Sequence, residues 1–94
     1  MATGFMVILS ATVRNEYGIH VRPSAEIAKE AQLYPGTITV RDEVGQANAK
    51  SILELIGLAL GHGHTVTIAV DGPDAAAVAE RFVALFEKQF EFTR

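Results

Sequence analysis

A histidine and an arginine stand two residues apart in the segment GIHVRPSA, residues 18–25. Proline is tolerated in the first turn of a helix, because the N–H that it lacks would have no partner there. Pro23 therefore predicts a helix entrance, with His20 and Arg22 at its start. The residue before a proline avoids the α conformation, and this rule alone places the first helical residue near Arg22.

Such a helix entrance favours phosphate chemistry. The first N–H groups of a helix have no intrahelical acceptors, and the helix dipole makes this end positive, so it binds anions. The Arg22 guanidinium adds a fixed charge and planar donors, and a neutral imidazole is a nucleophile that titrates near neutral pH. The pair indicates that His20 accepts a phosphoryl group. The alternative is a surface histidine beside a solvated arginine.

Composition limits the classes of protein and partner. The chain has 94 residues, of which 49% are hydrophobic and 20% charged, which predicts one folded domain over residues 1–94. It contains no cysteine, which excludes disulfides and thiolate sites. The net charge of −3 argues against a nucleic-acid partner. The apolar run near the start is far shorter than the roughly 20 residues of a membrane span, so we expect a cytoplasmic protein without membrane insertion.

The hydrophobic pattern predicts an α+β fold with element order β-α-β-β-α-β-α. Strands are predicted at 5–13, 36–42, after Gly45 and at 65–71, and helices at 21–33, from Ser51 and from Asp74. Such an order in a short chain favours a two-layer open-faced sandwich, in which three helices cover one face of a mostly antiparallel four-stranded sheet. The predicted buried face of the first strand comprises Phe5, Val7, Leu9, Ala11 and Val13. That of the last helix comprises Ala75, Val78, Phe82, Leu85 and Gln89.

The segment SILELIGLAL, residues 51–60, predicts a helix that is apolar on two sides. Ser51 is the expected N-cap, and Glu54 would complete a capping box. The helical projection places Leu55, Leu58 and Ala59 on one side and Ile52, Leu53 and Ile56 on another. One set would face the sheet, and the other would be exposed to a partner or, alternatively, buried as well.

Two other groups of polar residues are not expected to form sites. His62 and His64 lie in a glycine-rich turn without a plausible third ligand, so we predict no metal site, and nothing else indicates a cofactor. Asp42 and Glu43 lack the enclosed setting that acid–base catalysis requires.

The chain resembles the HPr family, the histidine-containing phosphocarriers of the bacterial phosphoenolpyruvate-dependent phosphotransferase system. The segment GIHVRPSA resembles the phosphorylation-site motif of that family. Ala-Lys-Ser-Ile-Leu, residues 49–53, resembles its second motif, around a regulatory serine, and lies at the expected separation. A Gly-x-Gly turn follows at 61–63, and the similarity extends over residues 5–89, including the order of elements.

The resemblance implies a role for each residue of the first motif. His20 would be phosphorylated on Nδ1 by phosphorylated Enzyme I and would pass the group to a downstream acceptor protein. Arg22 would neutralise the phosphoryl charge, and the amides of Val21 and Arg22 would donate hydrogen bonds to it. Gly18 would permit a close approach to the histidine, and Pro23 would hold the first turn. The protein would be a monomeric carrier and a substrate of transferases, not an independent enzyme.

The resemblance also implies a regulatory site and a docking surface. Ser51 would be phosphorylated by a dedicated serine kinase, and a phosphatase would remove that phosphate. Partner proteins would dock on Ile52, Leu53 and Ile56. A rival hypothesis is a regulatory adaptor of the same fold that binds proteins without relaying phosphate. The presence of both His20 and Arg22 disfavours it, and a small-ligand or RNA-binding domain is disfavoured by the acidic balance.

Two departures from the family pattern concern the surroundings of the histidine. Position 21 is valine where alanine or threonine is more usual, which narrows the space beside the phosphate. Tyr17 precedes Gly18, and the segment Asn-Glu-Tyr-Gly, residues 15–18, is more similar to the nitrogen-related branch than to the enteric sugar type. The identity of the downstream acceptor therefore stays open.

Overall fold

The computed structural model describes residues 5–89 and contains four strands and three helices in that range. Their order confirms the predicted β-α-β-β-α-β-α. The strands and helices are β1 (Phe5–Thr12), α1 (Val21–Ala31), β2 (Thr37–Arg41), β3 (Gln46–Asn48), α2 (Ile52–Gly57), β4 (Thr65–Gly72) and α3 (Ala75–Phe86).

The strands form one sheet in the order β1-β4-β2-β3, and every neighbouring pair is antiparallel. β1 and the three-residue β3 are therefore the edges. Val70 pairs with Val7 on one side and with Ile38 on the other, so that large apolar residues line up across the sheet. The predicted open-faced sandwich is confirmed.

The core lies between the sheet and the helices. Alternation along β4 buries Val66, Ile68 and Val70, and their neighbours face solvent or are half-buried. From the helices, the core receives Ile27, Ala28, Ala31, Ala79, Phe82, Leu85 and Phe86. The opposite face is rich in threonine and is open to solvent, so the molecule has one core on one side of the sheet.

All three helices end before the predicted residue. α1 ends two residues early, at Ala31. α2 ends at Gly57, where tight turns form from Leu58 and Ala59 back to the carbonyls of Leu55 and Ile56. Ala59 has a φ of 53° and is exposed, whereas Leu55 is buried, so the predicted common side of Leu55, Leu58 and Ala59 is wrong at Ala59.

α3 also ends earlier than its apolar stripe suggests. Gln89 lies beyond the last helical residue, Phe86, and is exposed, so its predicted burial is wrong. The helix ends where Glu87 turns to the sheet, and its Oε2 accepts a hydrogen bond from the Thr12 amide of β1 at 2.9 Å. Phe90 and Phe92 lie outside the described residues.

Within residues 5–89, none of the helices is both long enough and apolar enough to cross a bilayer.

Candidate functional site

His20 is the N-cap of α1, and Val21 is the first helical residue. The His20 backbone is extended, its carbonyl accepts the Ser24 amide at 2.8 Å, and its side chain makes no capping hydrogen bond. The helix thus begins one residue before the position that the pre-proline rule favours. Pro23 is third in the helix, where its missing N–H costs nothing. His20 itself is partly exposed.

The first turn of α1 presents an electropositive surface. Val21 and Arg22 occupy the first two helical positions, and both residues are exposed. Their amides have no carbonyl four residues earlier in the helix to bond with. The turn reads Val-Arg-Pro-Ser, so it adds a guanidinium and no carboxylate to the positive end of the helix dipole. An anion next to His20 would meet donors and positive charge.

The loop before His20 is fixed by buried contacts. Gly18 has a φ of 78°, and a Cβ atom there would lie 2.4 Å from the Leu60 carbonyl oxygen. The Ile19 amide donates to that same oxygen at 2.8 Å. Buried Asn15 closes the turn, because its Nδ2 donates to the Gly18 carbonyl at 2.7 Å. Gly18 therefore permits a close approach to the chain after α2, at the Leu60 carbonyl, and this contact supports the loop that leads to His20.

Ser24 is a buried residue of the site that sequence reasoning did not single out. The residue is 0% exposed, and its Oγ has no hydrogen-bond partner within residues 5–89. A hydroxyl buried without a partner costs about 1–3 kcal/mol. We expect Ser24→Ala to leave the free energy of unfolding unchanged or to raise it by up to about 1 kcal/mol, as measured by urea unfolding. A fall in the free energy of unfolding of more than about 1 kcal/mol would show that the Ser24 hydroxyl has a hydrogen-bond partner in solution.

Ser51 caps α2 as predicted. Its Oγ accepts a hydrogen bond from the Glu54 amide at 3.2 Å. The predicted reciprocal bond of the capping box, from the Ser51 amide to the Glu54 side chain, is wrong. Glu54 Oε1 accepts from the Asn48 amide at 2.8 Å, because the Ser51 amide is already bonded to the Asn48 carbonyl at 2.9 Å.

The apolar side of α2 that was predicted to be exposed is largely so. Leu53 is 80% exposed and Ile52 38%, whereas Ile56 is half-buried and Leu55 is fully buried. This excludes a helix buried on both sides. α2 packs against α1, the helix that begins beside His20. We call Ile52, Leu53 and Ile56 the α2 patch.

Asp42 and His64 lie close together at the end of the sheet that is next to the His20 loop. Asp42 lies in the β2–β3 turn, and its Oδ1 accepts from the amides of Val44 and Gly45, each at 2.8 Å. His64 Nε2 lies 3.6 Å from Asp42 Oδ2. The Gly45 and Val44 amides, and more weakly the nearby His64, hold the pKa of the Asp42 carboxyl below its usual range against the opposing effect of burial.

This carboxyl predicts an acid dependence of stability. Because its pKa is lower in the folded protein than in the unfolded chain, its contribution is complete above the unfolded value of about 3.9 and is lost as the pH falls through the folded value. We expect Asp42→Asn to lose less stability than the parent chain between pH 5 and about pH 2. Urea unfolding across that range measures this, and equal losses in the two proteins would contradict it.

The chain is similar to known proteins in both sequence and structure. Residues 9–88 match the family model described as the PTS HPr component phosphorylation site. Phosphocarrier protein HPr of Vibrio cholerae is 41% identical over 73 residues, which cover 78% of this chain and 86% of that protein. The HPr of Treponema pallidum is 34% identical over 86 residues, covering 92% and 98% respectively.

A solved structure gives the same likeness in three dimensions. The crystal structure of an HPr from Bacillus anthracis matches with a TM-score of 0.82 and 32% sequence identity, and the match covers 87% of this chain and 98% of that one. The region matched by the family model includes His20, Arg22 and Ser51.

Proposed function

This chain belongs to the HPr family of phosphocarrier proteins, and on that basis we propose that it accepts a phosphoryl group on His20 from phosphorylated Enzyme I and passes it to a downstream acceptor protein. Members of the family are carriers and not enzymes. The observation that supports the role of His20 most strongly is its place as the N-cap of α1, next to two exposed first-turn residues, one of which is Arg22.

The transfer is a substitution at phosphorus. The lone pair of neutral His20 attacks the phosphoryl group, the bond to the donor breaks, and its electron pair leaves with the donor. The anionic group then lies at the positive end of α1, where the Val21 and Arg22 amides and the Arg22 guanidinium stabilise it. Release to the acceptor reverses these steps. Positioning and charge supply most of what such a transfer requires.

The α2 patch is proposed as the docking surface for both donor and acceptor. Leu53 and Ile52 offer exposed apolar area on a helix that packs against α1, and Tyr17 and Val21, on either side of His20 in the chain, are exposed as well. Donor and acceptor must both reach the same imidazole, so we expect them to bind in turn to one face. In this proposal the carrier is a cytoplasmic monomer.

Ser51 is proposed as a regulatory phosphorylation site. It lies at the start of α2, directly before Ile52 of the α2 patch, and is partly exposed. A phosphate there adds about 1.5–2 negative charges to the docking surface. Glu54, three residues further on, adds to the repulsion of an acidic partner. A serine kinase would thus reduce phosphoryl transfer without touching His20.

The test is phosphorylation by Enzyme I and phosphoenolpyruvate, followed by intact-mass spectrometry of the parent chain, His20→Ala and Ser51→Ala. We expect one acid-labile phosphate in the parent chain and in Ser51→Ala, and none in His20→Ala. If the folded parent chain takes no phosphate from any Enzyme I of its source organism, the proposal fails. That result would favour the adaptor hypothesis.

A further inference from the structure

The imidazole of His64 lies between two turns that are next to the His20 loop. One is the β2–β3 turn, which carries Asp42, and the other is the turn of residues 61–64 that leads into β4. His64 Nδ1 accepts a hydrogen bond from the Gly61 amide at 3.3 Å, and its Nε2 faces Asp42 Oδ2 at 3.6 Å. Both nitrogens of His64 are thus directed at groups of the protein.

The buried carboxylate of Asp42 faces this imidazole. Its side chain is 1% exposed, and Oδ2 is buried without a hydrogen-bond partner in the described part of the chain. The oxygen that lacks a partner is the one that faces His64. A neutral imidazole that accepts at Nδ1 carries its proton on Nε2, where it can meet the carboxylate. The geometry therefore selects the Nε2–H tautomer.

Residues 60–64 also support the loop that carries His20. Gly61 follows Leu60, whose carbonyl oxygen accepts the Ile19 amide at 2.8 Å. Two further backbone bonds join the turn to the start of the loop. The Val13 amide donates to the His64 carbonyl and the Gly63 amide to the Val13 carbonyl, both at 2.8 Å. The imidazole of His64 thus orients the residue next to the carbonyl on which the His20 loop rests.

We propose that His64 is a positioning residue for phosphoryl transfer: its neutral side chain, oriented by Asp42, holds the Gly61 amide and so fixes the Leu60 carbonyl beneath Ile19 and His20. This inference rests on the proposed function for its kinetic consequence. Its structural content, the tautomer and the support of Ile19, can be measured without any partner protein.

Two substitutions separate the halves of the contact. The Oδ1 of His64→Asn can replace Nδ1 as the acceptor for the Gly61 amide. The amide nitrogen of His64→Gln reaches toward Asp42 but leaves Gly61 without an acceptor. His62→Gln is the control, since His62 is an exposed histidine of the same turn. Glutamine is closer to histidine in size than asparagine is, so loss of packing alone would harm His64→Asn more.

We expect the opposite order. The rate of phosphorylation by Enzyme I should fall about three- to tenfold in His64→Gln and stay within about twofold of the parent chain in His64→Asn and His62→Gln. Hydrogen exchange of the Ile19 amide should accelerate in His64→Gln alone. The ¹⁵N spectrum of the parent imidazole should show an unprotonated Nδ1 at neutral pH.

Each alternative outcome is decisive. An Nδ1–H tautomer, or unchanged Ile19 exchange in His64→Gln, overturns the inference whether or not Enzyme I acts on the protein. Equal phosphorylation of parent and His64→Gln overturns the kinetic role. If the parent chain takes no phosphate, the proposed function fails, and the tautomer and the Ile19 exchange alone decide the positioning of the loop.

Discussion

Replacing His20 with asparagine is expected to abolish phosphate acceptance and to raise the free energy of unfolding by about 1 kcal/mol. His20 holds the N-cap position of α1 with extended backbone, but its side chain makes no capping bond. Asparagine is among the best N-cap residues, because its side-chain oxygen accepts a first-turn amide. It has no imidazole to phosphorylate.

The matched control for this substitution is His20→Ala, which removes the imidazole without adding a cap. Both variants should take no phosphate from Enzyme I, and urea unfolding should find the asparagine variant the more stable. An asparagine variant that is less stable than the alanine variant would contradict the assignment of position 20 as the cap. If both expectations hold, the histidine occupies this position at a cost in stability, which indicates selection for its chemistry.

Replacing Gly18 with alanine is expected to destabilise the protein by about 2–5 kcal/mol. A Cβ there would lie 2.4 Å from the Leu60 carbonyl oxygen and 3.0 Å from Gly61 Cα, and the φ of 78° disfavours any residue with a side chain. Both obstacles are backbone atoms, which cannot turn aside as a side chain can. If the backbone of Leu60 and Gly61 moves away from the new Cβ, the hydrogen bond from the Ile19 amide to the Leu60 carbonyl should lengthen.

Gly57→Ala is the control for Gly18→Ala. Gly57 is the last residue of α2, and no atom among the described residues outside its own local backbone lies within 4 Å of a Cβ placed there. Alanine at that position should be neutral or stabilising by up to about 1 kcal/mol. Urea unfolding of both variants decides the matter, and similar values for the two would contradict the proposed steric role of Gly18.

Much of the fold could be predicted because its cause is local. Alternation along β4 separates Val66, Ile68 and Val70 from their polar neighbours, and this pattern suits one side of a sheet. Ser51 could be predicted as a cap, because the residue type and the apolar run after it are both diagnostic. Helix ends were less predictable, because Ala59 and Gln89 are placed by turns and by the contact of Glu87 with β1.

The support beneath the site could not be predicted from the sequence. Asp42 and His64 are far apart in the chain and come together only because β2 and β4 are neighbours in the sheet. In the sequence, His64 is notable only as a candidate metal ligand and Asp42 only as a candidate acid–base residue, and neither pattern indicates their contact. Ser24 has no local signal either, because burial without a hydrogen-bond partner depends on the packing of α1.

Phosphate transfer through His20 is tested most directly by the ¹⁵N spectrum of the histidine side chains after incubation with Enzyme I and phosphoenolpyruvate. If His20 is the carrier residue, we expect a phosphorus coupling on its Nδ1, no phosphate on His62 or His64, and loss of that coupling when a cognate acceptor protein is added. A phosphate found on another histidine, or a coupling that no acceptor removes, would contradict the assignment of His20 as the carrier residue.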